Sequence, residues 1–374
     1  MKKTLLTICL VWMCFSLSAQ KIIDLSGKWS FSIDRQDNGE KEKWFSHTLN
    51  DFINLPGSMP EKLKGDEVTA KTQWTGSLYD SSYYYNPYME KYRKEGNIKF
   101  PFFLTPDKHY VGAAWYQKEV NIPADWKGER ILLFLERPHI ETTVWVNGQK
   151  TGMQNSLCVP HQYDITRYVR PGKCTITIRV DNRIKEINVG PDSHSITDQT
   201  QGNWNGIVGR ICLQTTPKTY FDDIQIYPEP EQKLARVKVV IKGTGTAKVK
   251  LSAESFNTDK KHIVPAIQQE IKLNKGVTET EMVLPMGNDM LLWDEFHPAL
   301  YKLKAEVTNG KKTEIKEIQF GIRRFEIKGK WFYVNGRKTQ LRGTVENCDF
   351  PLTGYAPMDV ESWERVFRIC RSYG

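Results

Sequence analysis

The sequence predicts a chain that is all-β for most of its length, with two antiparallel β-sandwiches followed by the first strand and helix of a β/α array. Short apolar or alternating segments separated by turn residues recur from residue 21 to about residue 320. No stretch with a helical period and useful length interrupts the first part of that region. One segment near the end, residues 360–370, has its apolar residues at helical spacing.

Residues 1–20 have the pattern of a signal peptide. Lys2 and Lys3 precede a short apolar run from Leu5 to Leu17, and small residues lead to Ala19. The run is too short to span a bilayer comfortably, which argues against a membrane anchor. We therefore expect an exported protein, periplasmic or extracellular, with no membrane contact after cleavage.

The composition excludes several partners and sites. The formal net charge is +9, but basic and acidic residues are interleaved, so no nucleic-acid patch is indicated. The cysteines beyond the leader are odd in number and widely spaced, which predicts neither a disulfide framework nor a zinc site: Cys158, Cys174, Cys212, Cys348 and Cys370. We expect no cofactor. The 11 Trp and 16 Tyr suit sandwich cores and also the stacking of sugar rings.

The first domain, residues 21–218, reads as a jelly-roll-like β-sandwich. Ile131–Leu135 is a continuous apolar run typical of a buried strand. Val144–Val146 leads into Asn147-Gly148, a dipeptide suited to a type I′ hairpin turn. Cys174–Val180 alternates apolar and polar residues, as in a half-buried strand.

Residues 57–110 do not fit the short connections of such a sandwich. The segment has little periodicity and many aromatics, among them Tyr79, Tyr83, Tyr84, Tyr85, Tyr88 and Tyr92. A loop this long in a compact domain is usually functional or disordered, and its aromatic content argues against disorder. Two interpretations remain open, namely a functional loop and an insertion that packs on its own domain or on a missing one.

The second domain, residues 219–320, is predicted to be an immunoglobulin-like β-sandwich. Three segments with strand character are separated by turn residues: Arg236–Ile241, Lys248–Leu251 and Val277–Leu284. Tyr301–Val307 alternates strictly between apolar and charged or polar residues. Beyond it, a hairpin around Gly329 and a turn at Asn335-Gly336 are expected.

Residues 321–374 are predicted to start a (β/α)₈ barrel. Thr339–Thr344 has strand character, and Asp359 is a candidate cap for a helix with one apolar face, formed by Val360, Trp363, Val366, Phe367 and Cys370, and with Gly374 at its end. A complete barrel takes about 250 residues, so we expect a truncated one. Residues 339–374 should be poorly ordered without parallel neighbouring strands.

Four strings in this order resemble glycoside hydrolase family 2, which holds β-galactosidases, β-glucuronidases and β-mannosidases. The strings are Val144–Gly148, Gly202–Arg210, Leu292–Tyr301, and Phe320–Arg324 continuing to Leu341–Gly343. The resemblance covers nearly the whole chain after the leader. It implies a jelly-roll sugar-binding domain, an immunoglobulin-like domain and then a TIM barrel.

The resemblance also implies hydrolysis of β-glycosides with retention of configuration, by two glutamates about 5–5.5 Å apart on later barrel strands. No residue of this chain is therefore assigned a catalytic role. We expect the N-terminal fragment of an exported, β-galactosidase-like glycosidase acting on oligo- or polysaccharides, inactive by itself. Some members bind Mg²⁺ or Na⁺ through barrel residues, and no metal site is expected here.

Five residues are candidates for substrate contact. Asp198 matches the position of a first-domain aspartate that contacts substrate hydroxyls in β-galactosidases; the alternative is a turn aspartate that caps its own backbone. Trp204 either stacks on a sugar or packs at the domain interface. Glu346, Asn347 and Asp349 follow the expected first barrel strand, at the end that faces a barrel's active site. The family's Arg-Gly-Val-Asn-Arg-His reads Arg-Gly-Thr-Val-Glu-Asn here, so the family's histidine is replaced. The alternative to substrate contact by these residues is a structural salt bridge, with Arg342 as one partner. We interpret His297 as structural.

Two other functions stay open, a free-standing carbohydrate-binding protein without catalysis and a structural or adhesion β-sandwich protein. Residues 339–374 favour the glycosidase, because a finished binding protein would not begin a β/α unit. The sequence does not fix the sugar or the oligomeric state, and a homo-oligomer remains open.

Overall fold

The computed structural model describes residues 21–75, 85–99, 105–157, 159–185, 202–348 and 350–373. The described residues group into two compact units. The first contains residues 21–215 together with 343–374, and the second contains residues 216–342. The chain thus leaves the first unit, builds the second, and then returns to the first.

The first unit is a β-sandwich. Its strands are β1 (Ile22–Asp24), β2 (Gly27–Asp34), β3 (Asp51–Leu55), β4 (Gly57–Ser58), β5 (Asp66–Glu67), β6 (Lys108–His109), β7 (Ala113–Ile122), β8 (Arg130–Pro138), β9 (Glu141–Val146), β10 (Gln149–Asn155), β11 (His161–Asp164), β12 (Gly172–Asp181) and β13 (Gly206–Thr216). Short 3₁₀ helices cover Trp44–Ser46, Pro87–Tyr92, Ala124–Trp126 and Thr166–Tyr168.

Two sheets make up this sandwich within the described residues. One has the order β10-β9-β12-β7-β2-β3, and the other has the order β1-β13-β8-β11 with β4 paired to β13. β5 and β6 form a small separate ladder. The pairings β12–β7, β12–β9 and β2–β7 are antiparallel. Alternation along each strand sends one set of side chains between the sheets.

The core lies between these sheets and is rich in β-branched and aromatic residues. Tyr116, Ile178 and Val144 point into it from the larger sheet, and Leu133 and Ile207 from the smaller one. The opposite, outer face of the larger sheet carries its own aromatic cluster, in which Trp115 and Trp145 are buried with Leu49. The antiparallel sandwich predicted from the strand patterns is confirmed.

The predicted turn at Asn147-Gly148 connects β9 to β10. Both residues have positive φ, 49° and 77°, as a type I′ turn requires. The predicted strands Ile131–Leu135 and Cys174–Val180 lie inside β8 and β12. Among the described residues of the long segment 57–110, there are short strands and a 3₁₀ helix at Pro87–Tyr92. Trp74 packs edge-on against His109 there, with ring centroids 4.8 Å apart. Tyr79, Tyr83 and Tyr84 lie outside the described residues.

The second unit is also a β-sandwich, built around one long hairpin. Its strands are β14 (Tyr220–Glu229), β15 (Leu234–Phe256), β16 (Ile263–Pro285), β17 (Leu300–Asn309) and β18 (Lys312–Phe320), with a 3₁₀ helix at Pro230–Gln232. The separate strands predicted at Arg236–Ile241 and Lys248–Leu251 are two halves of β15. The register shifts between Gly243 and Gly245, so β14 pairs with the first half and β17 with the second. The alternation predicted at Tyr301–Val307 is present in β17.

A three-stranded antiparallel sheet follows, formed by β19 (Phe325–Lys328), β20 (Trp331–Val334) and β21 (Arg337–Thr339). Its two turns are those predicted, since Gly329, Asn335 and Gly336 all have positive φ. The strand predicted at Thr339–Thr344 is not found: β21 ends at Thr339, and residues 340–348 have no regular structure. A strand is stabilised by pairing with a neighbour, and no strand among the described residues pairs with this segment.

The helix α1 (Val360–Ser372) forms as predicted, with Asp359 at its N-cap. Asp359 Oδ1 accepts a 2.7 Å hydrogen bond from the backbone N–H of Ser362. Its predicted apolar face is largely uncovered, since Val360 is 68% exposed and Phe367 is 65% exposed. Gly374 lies outside the described residues.

Among the cysteines that the structure describes, Cys174 and Cys212 are buried, Cys348 is partly buried and Cys370 is exposed, and none of the four forms a disulfide. No described helix is long and apolar enough to cross a membrane.

Candidate functional site

Trp204 lies just before β13 and is packed on both sides. One ring neighbour is His139, with centroids 4.7 Å apart and planes 17° apart. The other is Tyr355, at 5.5 Å and 50°. Trp204 is only 6% exposed. The ring therefore has the surroundings of a packing residue, and its contact with substrate stays a prediction.

The turn Phe350–Tyr355 covers Trp204. The N–H of Gly354 donates a 2.6 Å hydrogen bond to the carbonyl of Phe350, and Gly354 has φ of 80°. A Cβ added at Gly354 would lie 2.7 Å from Cβ of Trp204. Both the positive φ and the close approach favour glycine here. The first unit thus supplies a surface for this turn, whereas the expected poor order of residues 339–374 stays a prediction.

The loop after β4 holds this turn in place. The hydroxyl of buried Ser58 donates to the carbonyl of Thr353, and the hydroxyl of Tyr355 donates a 2.8 Å hydrogen bond to Glu61 Oε2. Burial raises the pKa of Glu61, but hydrogen bonds from Lys62 and Tyr355 outweigh burial, so the pKa lies below its usual value. For Tyr355, burial and the adjacent Glu61 carboxylate raise the pKa of the phenol. Glu61 is therefore ionised and Tyr355 neutral near pH 7, as this hydrogen bond requires.

We call Ser58, Glu61, His139 and Trp204 the turn seat. It is attached to the sandwich core through the pairing of β4 with the start of β13, where Gly206 is opposite Ser58. A Cβ at Gly206 would lie 2.4 Å from the carbonyl oxygen of Gly57, so the two strands can approach only at a glycine. A cavity of about 20 Å³ remains between the seat and the turn, lined by Trp204, Gly354 and Tyr110 among others. It is large enough for about one water and too small for a sugar ring.

Asp198 lies outside the described residues, but both flanks of its segment are held in the first unit. Asn203 Nδ2 donates a 3.0 Å hydrogen bond to the carbonyl of Asn182, which brings the two flanks together. Asn205 donates to the carbonyls of Gly112 and Val180 and accepts from the hydroxyl of Tyr116 at 2.8 Å. These asparagines belong to the Gly202–Arg210 string. Their side-chain amides hydrogen-bond to backbone carbonyls of neighbouring segments and so hold those segments in place.

A charged network lies at the other flank, where β12 ends. Buried Asp181 contacts Arg179 at 3.0 Å, Arg183 at 2.6 Å and Lys185 at 2.7 Å. Burial alone would raise the pKa of Asp181, but hydrogen bonds from Arg183 and Lys185 move the pKa well below the usual value. Asp37 and Glu141 pair with the same cations. The opposite charges of this cluster are thus paired with one another, as buried charges require.

Glu346 and Asn347 lie in the irregular segment before the turn, and both are exposed. Glu346 Oε1 accepts a 2.9 Å hydrogen bond from the N–H of Cys348. Asp349 lies outside the described residues. Arg342 Nη2 lies 3.6 Å from a carboxylate oxygen of Glu295, and the salt-bridge alternative for Glu346 and Asp349 stays open. His297 is exposed and lies in a turn in which Asp294 accepts hydrogen bonds from the N–H groups of Phe296 and His297, which fits a structural role.

The described residues include no group of His, Cys, Asp and Glu that could hold a metal ion.

Sequence reasoning missed the turn seat. Pro351 and Gly354 are ordinary turn signals, so the turn itself could have been found. Its partners Ser58, Glu61 and His139 carry no motif, and only the folded sandwich brings them beside Trp204.

Two family models match the chain. Residues 22–217 match the sugar binding domain of glycosyl hydrolases family 2, which is more than half of the chain. The chain belongs to glycoside hydrolase family 2. Residues 219–323 match a second model of family 2, so both sandwiches fall within the family's known domains.

Relatives in family 2 include glucuronidases and galactosidases. The β-glucuronidase of Paenibacillus borealis is 24% identical over 355 residues, covering 90% of this chain and 51% of that protein. The β-galactosidase large subunit of Latilactobacillus sakei is 23% identical over 350 residues, covering 91% and 52%. Human β-glucuronidase is 24% identical over 369 residues, covering 88% and 49%. The chain thus spans about half the length of these curated relatives.

Solved structures of family members share the fold. The β-glucuronidase of Ruminococcus gnavus in complex with D-glucaro-d-lactam has a TM-score of 0.64 and 20% identity, covering 94% of this chain and 53% of that chain. The same enzyme in complex with D-glucuronic acid has a TM-score of 0.60 and 19% identity, covering 87% and 50%. At this identity the likeness concerns the fold.

Proposed function

We propose that this chain is the N-terminal half of an exported, retaining β-glycosidase of family 2 and that residues 321–374 begin its catalytic (β/α)₈ barrel. The observation that carries the proposal is the family match over residues 22–217 and 219–323. The relatives' names, β-glucuronidase and β-galactosidase, support hydrolysis of a β-glycosidic bond. We propose that this bond lies in an oligo- or polysaccharide. A β-galactoside is the substrate expected from the sequence, and a β-glucuronide is the alternative that the relatives add.

The turn seat supports a role for the first domain in that active site. It fixes the turn Phe350–Tyr355, which follows Glu346 and Asn347 by only a few residues. We propose that Glu346, Asn347 and Asp349 contact the sugar and that Asp198 adds a carboxylate from the first domain. Carboxylates and amides suit this task, because they accept or donate hydrogen bonds to several hydroxyls at once. Trp204 supports the site by packing against Gly354 and Tyr355 of the turn.

Catalysis itself is proposed to reside in the other half of the protein. A retaining glycosidase needs two carboxyl groups about 5–5.5 Å apart, one as nucleophile and one as general acid and base. The relatives are about twice as long as this chain, and we assign neither role to a residue of it. We further propose that residues 1–20 direct export to the periplasm or the extracellular space.

The experiment that tests this function compares two proteins on chromogenic β-galactoside, β-glucuronide and β-mannoside substrates. Residues 21–374 are expected to show no turnover, and the full gene product that contains them is expected to hydrolyse one of the three. Turnover by residues 21–374 that survives removal of host enzymes would contradict the proposal that catalysis resides in the other half of the protein. A full gene product inactive on all three would favour a carbohydrate-binding protein without catalysis.

A further inference from the structure

An open cleft lies on the outer face of the larger sheet, away from the sandwich core. Its volume is about 300 Å³, which reaches the lower end of the range for ligand pockets. It is bounded by the 44–49 segment and by outward-facing residues of β7 and β12, and it is lined by Phe45, Ser46, His47, Thr48, Gln117, Asn147, Gly148 and Thr175. It shares no lining residue with the cavity at Trp204.

An aromatic stack forms one side of this cleft. The ring of Phe45 lies flat on Trp145, with centroids 5.2 Å apart and planes 7° apart. Trp145 in turn stacks on Trp115 at 5.0 Å. Both tryptophans are buried, whereas Phe45 is half-buried and lines the cleft. The ring of Phe45 is thus an apolar surface at the end of a stack, and the rigid rings of the two tryptophans hold it in place.

Polar side chains complete the cleft. Gln117 is 9% exposed, and its Nε2 donates to the carbonyl of His47 at 3.0 Å and to Thr177 Oγ1 at 3.1 Å. These two bonds fix the amide, and Gln117 Oε1 accepts no hydrogen bond from a described residue. The Asn147 side chain accepts a hydrogen bond from the N–H of Thr175 and donates one to the carbonyl of Tyr168. Its polar atoms are therefore already bonded, and it forms part of the cleft wall. The residues that line the cleft include no Asp, Glu, Lys or Arg.

We infer that this cleft binds one neutral sugar unit of an oligosaccharide, with the apolar face of the ring on Phe45 and hydroxyls at Gln117 Oε1 and Thr175. An apolar ring face combined with fixed, uncharged hydrogen-bonding groups is the chemistry of a pyranose. A uronate or a phosphate is bound best by the fork of an Arg or by a Lys, and the lining has neither. Its only titratable side chain is the exposed imidazole of His47. This binding goes beyond the proposed hydrolysis and does not depend on it.

The test is saturation-transfer NMR with the purified protein and lactose, cellobiose or mannobiose, each titrated to about 20 mM. We expect transfer to at least one disaccharide with a millimolar dissociation constant, because the cleft is open and small. Sodium glucuronate serves as the charged comparison and is expected to bind more weakly.

Two variants locate the site. Phe45→Leu should weaken binding about fivefold through loss of ring stacking. Thr175→Val keeps a β-branched strand residue and its backbone hydrogen bond, and should weaken binding about threefold through loss of the hydroxyl. Phe296→Ala, an exposed aromatic of the second unit, is the matched control and should leave binding unchanged.

The inference is overturned if none of the disaccharides shows transfer, if glucuronate binds more tightly than all of them, or if Phe45→Leu and Thr175→Val both bind as the unaltered protein does. Each of these readouts is independent of hydrolysis. The proposed glycosidase function can therefore fail while this inference stands, and the reverse also holds.

Discussion

The hydroxyl of Tyr355 donates a 2.8 Å hydrogen bond to the carboxylate of Glu61, across 294 positions of sequence. The two residues belong to the same compact unit, although a complete β-sandwich is encoded between them. Together with the Ser58–Thr353 contact and the packing of Gly354 on Trp204, this bond attaches the segment 343–374 to the first sandwich.

Tyr355→Phe should loosen the turn without removing its ring contact with Trp204. The lost hydrogen bond to a partly exposed carboxylate is expected to cost about 1 kcal/mol of local stability. Hydrogen exchange of residues 350–357 should then become about fivefold faster. Tyr373→Phe is the matched control, because Tyr373 is 90% exposed. Equal exchange in both variants would show that the Glu61 contact does not hold the turn.

Gly354→Ala should displace the turn more strongly. Its Cβ would meet Trp204 at 2.7 Å, and the positive φ adds strain. Gly329→Ala has a comparable φ of 61° with open space around the new Cβ, so it reports the cost of φ alone. We expect Gly354→Ala to be more destabilising by about 1–3 kcal/mol, measured by urea unfolding. A difference near zero would mean that the contact relaxes at no cost.

The buried histidine of β11 should make the first sandwich sensitive to acid. His161 is fully buried, with Nδ1 2.6 Å from Oγ1 of Thr142, and burial lowers its pKa to about 4. The unfolded chain takes up a proton near pH 6.5, whereas the folded chain stays neutral down to about pH 4. The unfolded state therefore binds more protons in this interval, and the free energy of unfolding should fall as pH drops from about 6.5 to 4.

Urea unfolding at several pH values between about 7 and 5 measures this slope, which lies above the titration of most carboxylates. His161→Phe should flatten it, whatever the change in absolute stability. His297→Phe is the control, since that side chain is 81% exposed, and it should keep the slope. An unaltered slope in His161→Phe would assign the acid sensitivity to another group.

Asp198→Asn should lower kcat/KM of the full gene product. The expected loss of transition-state stabilisation is about 1–2 kcal/mol, because a hydrogen bond to the sugar is lost. The asparagine retains the size of the side chain but accepts fewer hydrogen bonds from sugar hydroxyls. Asp259→Asn, at an exposed bend between β15 and β16, is the control. Unchanged kinetics in the Asp198 variant, with the fold intact, would favour the turn-capping alternative.

Sequence reasoning succeeded where the structure depends on local patterns. Asn147-Gly148, the alternation at Tyr301–Val307 and the cap at Asp359 each have their determinants within a few residues, so the pattern predicts the element. The strand predicted at Thr339–Thr344 failed for the opposite reason. Strand formation requires a pairing partner, and a segment's own composition does not supply one.

The turn seat shows the same limit for the site. Trp204 was identified from its motif, but the residues on either side of its ring are His139 and Tyr355, which are distant in sequence. Their proximity follows from strand order, and strand order is set by the whole sandwich. Glu346 and Asn347 were predicted from their place after the expected barrel strand, which is not found in residues 340–348, so their role stays a prediction.

The return of the chain to its first domain has a consequence for synthesis on the ribosome. Trp204 is translated 150 residues before Gly354, and the second sandwich emerges in between. At about 5–20 residues per second, the indole stays without its covering turn for roughly 8 to 30 seconds. During that time the indole lacks its contact with Tyr355, so this part of the first domain is completed only after the second sandwich has been synthesised.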